Sequence, residues 1–321
     1  MRKALGILEE QGLLTSVPRK GYYVSADGLE RKKLIAAIVE NVAKSTWAAA
    51  IRGIEDVAQA ERYNLIVASH ETDLLKHKTI INRLVEQQVA GFILVPSAIQ
   101  GLSQGNDIIL EAISRSGAKA VFLDRALRGS SFRIRSVGSD NVSGSFRLTS
   151  HLIRQGHKRI LFVQSSSRSA VQERWLGYRL ALSECGLPYD ESLVVTLADS
   201  DSGETLSEEG TRHLERILRS LRYTAVFAAN DNIGAAVFSE LSRMKRRVPK
   251  DVSVASYDAR ELSAVVNAKI TGINQPFYEM GRLCANLLLR EISGTVADGV
   301  ISYVCASEFQ QGDSVAPLSK R

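Results

Sequence analysis

Residues 34–39 read Leu-Ile-Ala-Ala-Ile-Val, an unbroken apolar run. A strand with one face in water alternates apolar and polar residues, whereas a strand covered on both faces is apolar throughout. The segment from Trp47 to Glu61 follows with apolar side chains at helical spacing, at Ile51, Ile54 and Val57. A buried strand followed by an amphipathic helix predicts the first βα unit of a parallel sheet.

The same alternation continues along the chain in two successive series. The first has strands at 34–39, 65–68, 91–95 and 120–123, with helices at 47–61, 74–88 and 106–115. The second has strands at 159–163, 192–196, 225–227 and 252–255, with helices at 141–155, 170–185, 207–220 and 231–243. Two α/β series of similar size predict two lobes, and ligands of open α/β sheets bind outside the carboxyl ends of the strands.

The first 25 residues follow a different pattern. The segment from Arg2 to Gln11 predicts a helix, and residues 13–17 and 21–24 predict two strands with a basic turn between them. Residues 26–33 are polar and charged, as expected for a linker. We therefore expect a small N-terminal unit joined to the α/β part by this linker.

Composition limits the class of protein. The chain has 321 residues, 45% hydrophobic and 24% charged, which is the balance of a globular protein with two or more domains. Its 41 Lys and Arg against 35 Asp and Glu give a net charge of +6, which permits contact with nucleic acid without requiring it. Three cysteines without a Cys-x-x-Cys pair predict no disulfide framework, and we expect a cytoplasmic protein. No signal peptide or membrane-spanning apolar run is recognisable.

Sequence motifs that would indicate an enzyme are missing. The chain has no P-loop, no Gly-x-Ser-x-Gly, no His-Glu-x-x-His and no Gly-x-Gly-x-x-Gly after the first strand. The sequence therefore predicts a protein that is not an enzyme, with no cofactor and no metal site.

Several segments of the α/β part resemble the effector domain of the LacI/GalR repressor family. They lie at 121–125 (Val-Phe-Leu-Asp-Arg), 151–160, 173–178 (Glu-Arg-Trp-Leu-Gly-Tyr), 228–231 (Ala-Ala-Asn-Asp), 248–258 and 274–281. Their order and their spread over most of the chain make the resemblance specific. It implies the type I periplasmic-binding-protein fold, an α/β fold of two lobes whose parallel sheets are flanked by helices. The implied N-lobe is 34–138 with 277–303, the C-lobe is 139–276 with 304–315, and 316–321 form a tail.

The N-terminal unit resembles the latter part of a GntR-type winged-helix domain. Residues 2–14 and 19–24 carry this resemblance. In that family the helix enters the major groove of DNA and the hairpin is the wing. The implied DNA contacts are Arg2, Lys3, Arg19, Lys20 and Gly21, although a charged hairpin turn is the structural alternative for the wing. A GntR-like wing before a LacI-like sensor is similar to the AraR-type repressors.

The N-terminal unit resembles only the latter part of a winged-helix domain. The first two helices of such a domain would precede Met1. We expect that the native protein carries more residues upstream of Met1. The alternative is a truncated paralogue that senses a ligand and binds DNA poorly.

LacI/GalR proteins bind their effector, commonly a sugar, between the lobes. The resemblance implies ligand roles for Trp47, Asp124, Arg174, Asn230, Asp231, Asp258 and Gln275. His70 is a further candidate because it follows the second strand. Carboxylates and amides hydrogen-bond sugar hydroxyls, a guanidinium binds two oxygens at once, and an aromatic face covers the C–H side of a sugar ring.

These side chains also have structural alternatives. Asp231 is of a type that caps the helix that it begins, Arg174 is of a type usually solvated at the surface, and Trp47 is suited to a core. A lone His such as His70 is more often a surface or capping residue.

The sequence thus predicts a homodimeric, ligand-responsive repressor. Its lobes would close about crossovers near Ser139 and Gln275 and thereby change DNA binding. The expected partners are a sugar or sugar derivative and operator DNA, with no membrane contact. A solute-binding protein of the same architecture is the alternative from another class, and it would require a signal peptide.

Overall fold

The computed structural model describes residues 2–10, 14–17, 21–24, 33–97, 103–125, 132, 134–165, 169–199, 205–295, 299 and 302–318. An N-terminal helix, α1 (Arg2–Glu10), precedes a hairpin of β1 (Leu14–Val17) and β2 (Gly21–Val24). The two strands pair antiparallel, as the sequence predicts for this segment.

Only part of the predicted DNA-contact set can be placed in this unit. Gly21 begins β2 with a φ of 99°, in the left-handed region that glycine tolerates best. Arg19 and Lys20 lie outside the described residues, as do the side chains of Arg2 and Lys3. Their predicted contacts with DNA stay predictions.

From Leu34 onward strands and helices alternate along the chain. In order they are β3 (Leu34–Val39), α2 (Ser45–Ala60), β4 (Asn64–Ser69), α3 (Leu74–Glu86), β5 (Gly91–Leu94), α4 (Ser103–Ser116), β6 (Lys119–Asp124), β7 (Arg135–Ser139), α5 (Asn141–Arg154), β8 (Ile160–Ser165), α6 (Ser169–Glu184), β9 (Val194–Leu197), α7 (Glu208–Ser220), β10 (Ala225–Ala228), α8 (Asp231–Arg243), β11 (Ser253–Tyr257), α9 (Ala259–Val266), β12 (Thr271–Asn274), α10 (Phe277–Ser293), β13 (Ser302–Cys305) and β14 (Glu308–Gln310). Among these helices, none is both long enough and apolar enough to cross a membrane.

The strands form two six-stranded sheets, one for each lobe. The first sheet has the order β13-β7-β6-β5-β3-β4 and is parallel throughout. The second has the order β14-β12-β11-β10-β8-β9, and only β14 runs antiparallel to its neighbour. Helices cover the sheets, and the inner strands β5, β10, β11 and β12 are buried along their whole length. The predicted fold class is confirmed.

The chain passes between the sheets three times, after β7, after β12 and after β13. The expected N-lobe boundary at residue 303 falls inside β13, which pairs with β7 up to Cys305 opposite Ser139. Residues 304 and 305 therefore lie in the first sheet and not in the C-lobe.

Glycines let the returning helix α10 pack closely on α2 in the first lobe. A Cβ atom on Gly281 would overlap the carbonyl oxygen of Ala50, and one on Gly53 would overlap that of Tyr278. The two helices thus approach with backbone against backbone, at a distance that larger residues exclude. This contact anchors the chain where it re-enters the first lobe after β12.

Replacing Gly281 by alanine is expected to lower the free energy of unfolding by about 1–3 kcal/mol, because the added methyl group pushes α2 away from α10. Chemical denaturation of both proteins measures the change. Gly6→Ala is the control, since no atom lies within 4 Å of its new Cβ. An unchanged denaturation midpoint for Gly281→Ala would contradict the close approach of the helices.

Candidate functional site

A cavity of about 90 Å³ lies between the lobes. It is bounded by residues that follow the carboxyl ends of β3, β6, β10, β11 and β12, as expected for open α/β sheets. Seven of the eight predicted effector residues line it: Trp47, Asp124, Arg174, Asn230, Asp231, Asp258 and Gln275. The structure thus brings together residues that lie up to 228 positions apart in sequence.

Arg174 occupies the centre of the second-lobe wall. Only 4% of the residue is exposed, so it is not a solvated surface charge. Its guanidinium donates to Asn141 Oδ1 at 2.9 Å, to the carbonyl oxygen of Ala229 at 2.7 Å and to Asp258 Oδ2 at 3.4 Å. It also lies over the ring of Tyr257, with Cζ 3.8 Å from the ring centroid, in cation–π geometry. Four separate elements meet at this one side chain.

Asp258 is buried in the same network and adopts a left-handed backbone conformation, with a φ of 57°. Gln275 Nε2 donates to its Oδ1 at 2.7 Å, and the amide oxygen of Gln275 accepts from Ser139 Oγ at 2.5 Å. Burial raises the pKa of Asp258 to about 6, with Asp231 acting in the same direction and Arg174 against it. Gln275 therefore links the end of a first-lobe strand to the second-lobe network.

The first-lobe wall contains an ion-pair group that the sequence analysis missed. Arg125 donates from Nε to Asp124 Oδ2 at 2.9 Å and from Nη1 to Glu40 Oε1 at 3.1 Å, and all three side chains are at least 92% buried. Glu40 follows β3 directly and Arg125 follows Asp124, so their positions at strand ends were the available signal.

Of the remaining predicted residues of the cavity, two have structural contacts and one is available to a ligand. Trp47 is 4% exposed and meets Phe277 edge to face, with ring centroids 5.5 Å apart. Asn230 caps α8, because its Oδ1 accepts from the backbone N–H of Ile233 at 2.9 Å. Asp231 is half-buried in the first turn of α8, and its side chain accepts no hydrogen bond from another described residue. Its carboxylate is thus available to a ligand.

His70 does not line the cavity. It is fully buried, its ring stacks on that of His77 at 4.5 Å, and its Nδ1 accepts from the backbone N–H of Thr72 at 3.1 Å. Its Nε2 lies 3.2 Å from the carbonyl oxygen of Val95, which makes Nε2 the donor of a neutral ring. Although His70 follows β4 directly, its side chain lies in the interior of the first lobe.

The substitution Arg174→Met is expected to lower the free energy of unfolding by about 3–5 kcal/mol at neutral pH, because it leaves the Asp258 carboxylate buried without its cation. Denaturant unfolding measures the loss. Arg212→Met is the matched control, since Arg212 is exposed and pairs with Glu208 on the same helix. Equal effects of the two substitutions would contradict a central position for Arg174.

The stability of the protein is also expected to depend on the charge of Asp258. Because the folded-state pKa of about 6 lies above the ordinary value of 3.8, the native state binds this proton more tightly than the unfolded chain. The contribution of Asp258 is therefore most favourable below pH 4 and declines as the pH rises to about 6, by up to about 3 kcal/mol.

Unfolding free energies of wild type and Asp258→Asn between pH 4 and pH 7 measure this effect. The stability of the variant relative to wild type is expected to increase over that range. Asp251→Asn is the control, because the exposed Asp251 pairs with Arg247, which lowers its pKa to about 2. A difference between Asp258→Asn and wild type that does not vary with pH would contradict the raised pKa.

Comparison with known proteins places this site in a family. Residues 149–315 match the model of the periplasmic binding protein-like domain. The chain is 27% identical over 316 residues to the HTH-type transcriptional regulator RegA of Clostridium saccharobutylicum, covering 98% of this chain and 89% of the relative. It is 25% identical over 313 residues to the arabinose metabolism transcriptional repressor of Geobacillus stearothermophilus, covering 96% and 85%. The structure of the transcriptional regulator CelR with cellobiose superposes with a TM-score of 0.76 at 26% identity, over 98% of this chain and 90% of that chain.

The chain therefore belongs to the periplasmic binding protein-like domain family. The relatives that it resembles over nearly their whole length are regulators of transcription. The predicted likeness of the α/β part to LacI-family transcriptional regulators is thereby confirmed. The GntR-type winged helix and the AraR type stay predictions.

Proposed function

We propose that this chain is the sensing part of a cytoplasmic transcriptional repressor that binds a sugar-like effector between its two lobes. The observation that supports this most strongly is the cavity itself, where Arg174 and Gln275 hold a polar wall and the Asp231 carboxylate has no hydrogen-bond partner among the described residues. The regulatory function of the relatives supports the same assignment.

The charges of the cavity favour a neutral effector over a sugar phosphate or a uronic acid. Among the described residues, the lining contains four carboxylates and three cations: Glu40, Asp124, Asp231 and Asp258, with Lys44, Arg125 and Arg174. Arg125 and Arg174 are already paired with buried carboxylates, so an anionic ligand would compete with Glu40, Asp124 and Asp258 for them. Neutral hydroxyl groups can hydrogen-bond to Asp231 and to the Gln275 amide without that competition.

The effector would act by changing the relative positions of the lobes. The lobes are joined by the three chain crossings and by the bond from Ser139 to Gln275, so movement about these links alters the cleft without unfolding either sheet. A ligand shifts such an equilibrium only by its differential affinity for the two arrangements. Affinity for the effector and affinity for DNA are then coupled reciprocally.

DNA binding is assigned to the N-terminal helix and hairpin, as a GntR-type winged helix in a homodimer. The residues for this contact are Arg2, Lys3, Arg19, Lys20 and Gly21, because positive charge on a wing suits the phosphate backbone. The observed antiparallel pairing of β1 with β2 after α1 supports a helix-and-wing arrangement.

A thermal-shift screen tests the sensing function. At a sugar concentration about 100 times the Kd, binding to the folded state alone adds about 2.7 kcal/mol, which raises the Tm by several degrees. We expect a neutral sugar to produce this shift in wild type and Asp231→Ala to lose most of it. Asp231 suits the test because removing it breaks no hydrogen bond to another described residue.

The control for this screen is Asp251→Asn, an exposed position remote from the cavity lining, which should keep the full shift. A response only to sugar phosphates or uronic acids would refute a neutral effector. An equal response of wild type and Asp231→Ala would place the binding site outside this cavity.

A further inference from the structure

A second cavity, of about 260 Å³, adjoins the first. The two share Asp124, Arg125 and Ala170 as lining residues, so these residues lie at the boundary between them. The second cavity lies at the edge of the first sheet, where Ser136 on β7 and Ser302 on β13 face it side by side. It therefore extends the cleft sideways along the junction of the lobes.

The volumes of the two cavities favour a ligand that occupies both. At about 15 Å³ for each water, the first cavity has room for roughly six water molecules, which is little space for a sugar ring with its hydroxyl groups. Ligand pockets of proteins usually measure about 300–1,000 Å³. Neither cavity reaches that range alone, and the two together reach its lower end.

A single chain of hydrogen bonds also connects the walls of the two cavities. Glu173 accepts from Asn141 Nδ2 at 3.1 Å, and Asn141 Oδ1 accepts from Arg174, which in turn contacts Asp258. From Asp258 the chain continues through Gln275 to Ser139. Its two ends, Glu173 and Ser139, line the second cavity, whereas Arg174, Asp258 and Gln275 line the first. A polar surface is therefore continuous from one cavity to the other.

The lining of the second cavity has the same chemistry as a sugar site. The hydroxyls of Ser136 and Ser302 lie 2.9 Å apart, and either can donate to the other, which leaves capacity for a ligand hydroxyl. Tyr303 adds an aromatic side chain that is 38% exposed, and Glu173 adds a carboxylate. Arg125, the cation of this cavity, is already bound by Glu40 and Asp124, so the lining does not favour an anion.

We propose that the effector is a neutral disaccharide or a longer neutral saccharide, with one ring in the cavity of Trp47 and Asp231 and the next ring against Ser136, Ser302 and Tyr303. This inference rests on the proposed sugar-sensing function and specifies the size of its ligand. Arg125 and Asp124 then lie at the junction between the two rings, where their polar atoms can contact both.

Isothermal titration calorimetry of the full chain tests the inference with named probes. The disaccharides are cellobiose, maltose and lactose, and the monosaccharides are glucose, galactose, arabinose and ribose. At least one disaccharide is expected to bind on the order of tenfold more tightly than either of its constituent monosaccharides. Ser302→Phe fills the second cavity from an exposed edge-strand position and is expected to remove that advantage while leaving monosaccharide affinity within about twofold.

The second variant, Tyr303→Ala, removes an aromatic side chain from the second cavity, whereas Ser302→Phe adds one. It is expected to weaken disaccharide binding several-fold and to leave monosaccharide binding unchanged. Val265→Phe is the matched control, since Val265 is 69% exposed on α9 and lines neither cavity. Its affinities should equal those of wild type.

The possible failures are distinct. If a monosaccharide binds as tightly as every disaccharide, or if both variants keep wild-type affinity for the disaccharide, the two-ring site is wrong and sugar sensing stands. If Asp231→Ala keeps full affinity for a sugar that binds, or if none of the seven probes binds, the proposed function is contradicted together with the inference.

Discussion

The buried guanidinium of Arg174 is the interaction on which the site depends. A cation removed from water is tolerated only when it is paired and hydrogen-bonded, and Arg174 satisfies this with Asn141, Ala229 and Asp258 at the carboxyl ends of the second sheet and at the start of α5. Meeting that requirement brings four segments of the chain to one point. The same requirement holds Asp258 in place although burial raises the pKa of its carboxyl group. The polar wall of the cleft is thus a consequence of charge burial.

The first lobe has a corresponding arrangement in which Arg125 is held by Glu40 and Asp124. Each lobe therefore brings its own polar wall, and the hydrogen bond from Ser139 to Gln275 joins the two. Side chains in a fully satisfied network keep one geometry, whereas the relative position of two such networks is set by few contacts. A ligand that bridges both walls adds contacts only when the lobes approach, which is the differential affinity that a sensor needs. The adjoining cavity at the sheet edge widens the range of ligands that can form such a bridge.

Much of this architecture follows from the sequence because most of the inner strands are buried on both faces and are therefore apolar. The predicted ranges for β2, β3 and α8 agree with the structure residue for residue, and the other predicted elements differ by a few residues. The elements α9, β12, α10, β13 and β14 were not predicted. Strand β7 was missed because Arg-Ser-Val-Gly-Ser is short and polar, and it is a strand only because β6 and β13 pair with it on either side. Family resemblance pointed to Arg174, Asp258 and Gln275, whereas the only sequence signal for Glu40 and Arg125 was their position after a strand end. His70 shows the opposite error, a residue that was predicted to bind the ligand and does not line the cavity. The direction of its side chain depends on stacking with His77 from the next helix.

In the proposed function, closure of the lobes around a sugar is the event that converts binding into regulation. Its most direct measure is the distance between spin labels at Val42→Cys and Val265→Cys, which are exposed positions on opposite lobes, after replacement of Cys185 and Cys305 by serine. Cys284 is buried and can stay. Saturation with a sugar that binds is expected to shorten the mean distance between the labels and to narrow its distribution. A distance distribution that stays the same while the sugar is bound would contradict sensing by lobe closure.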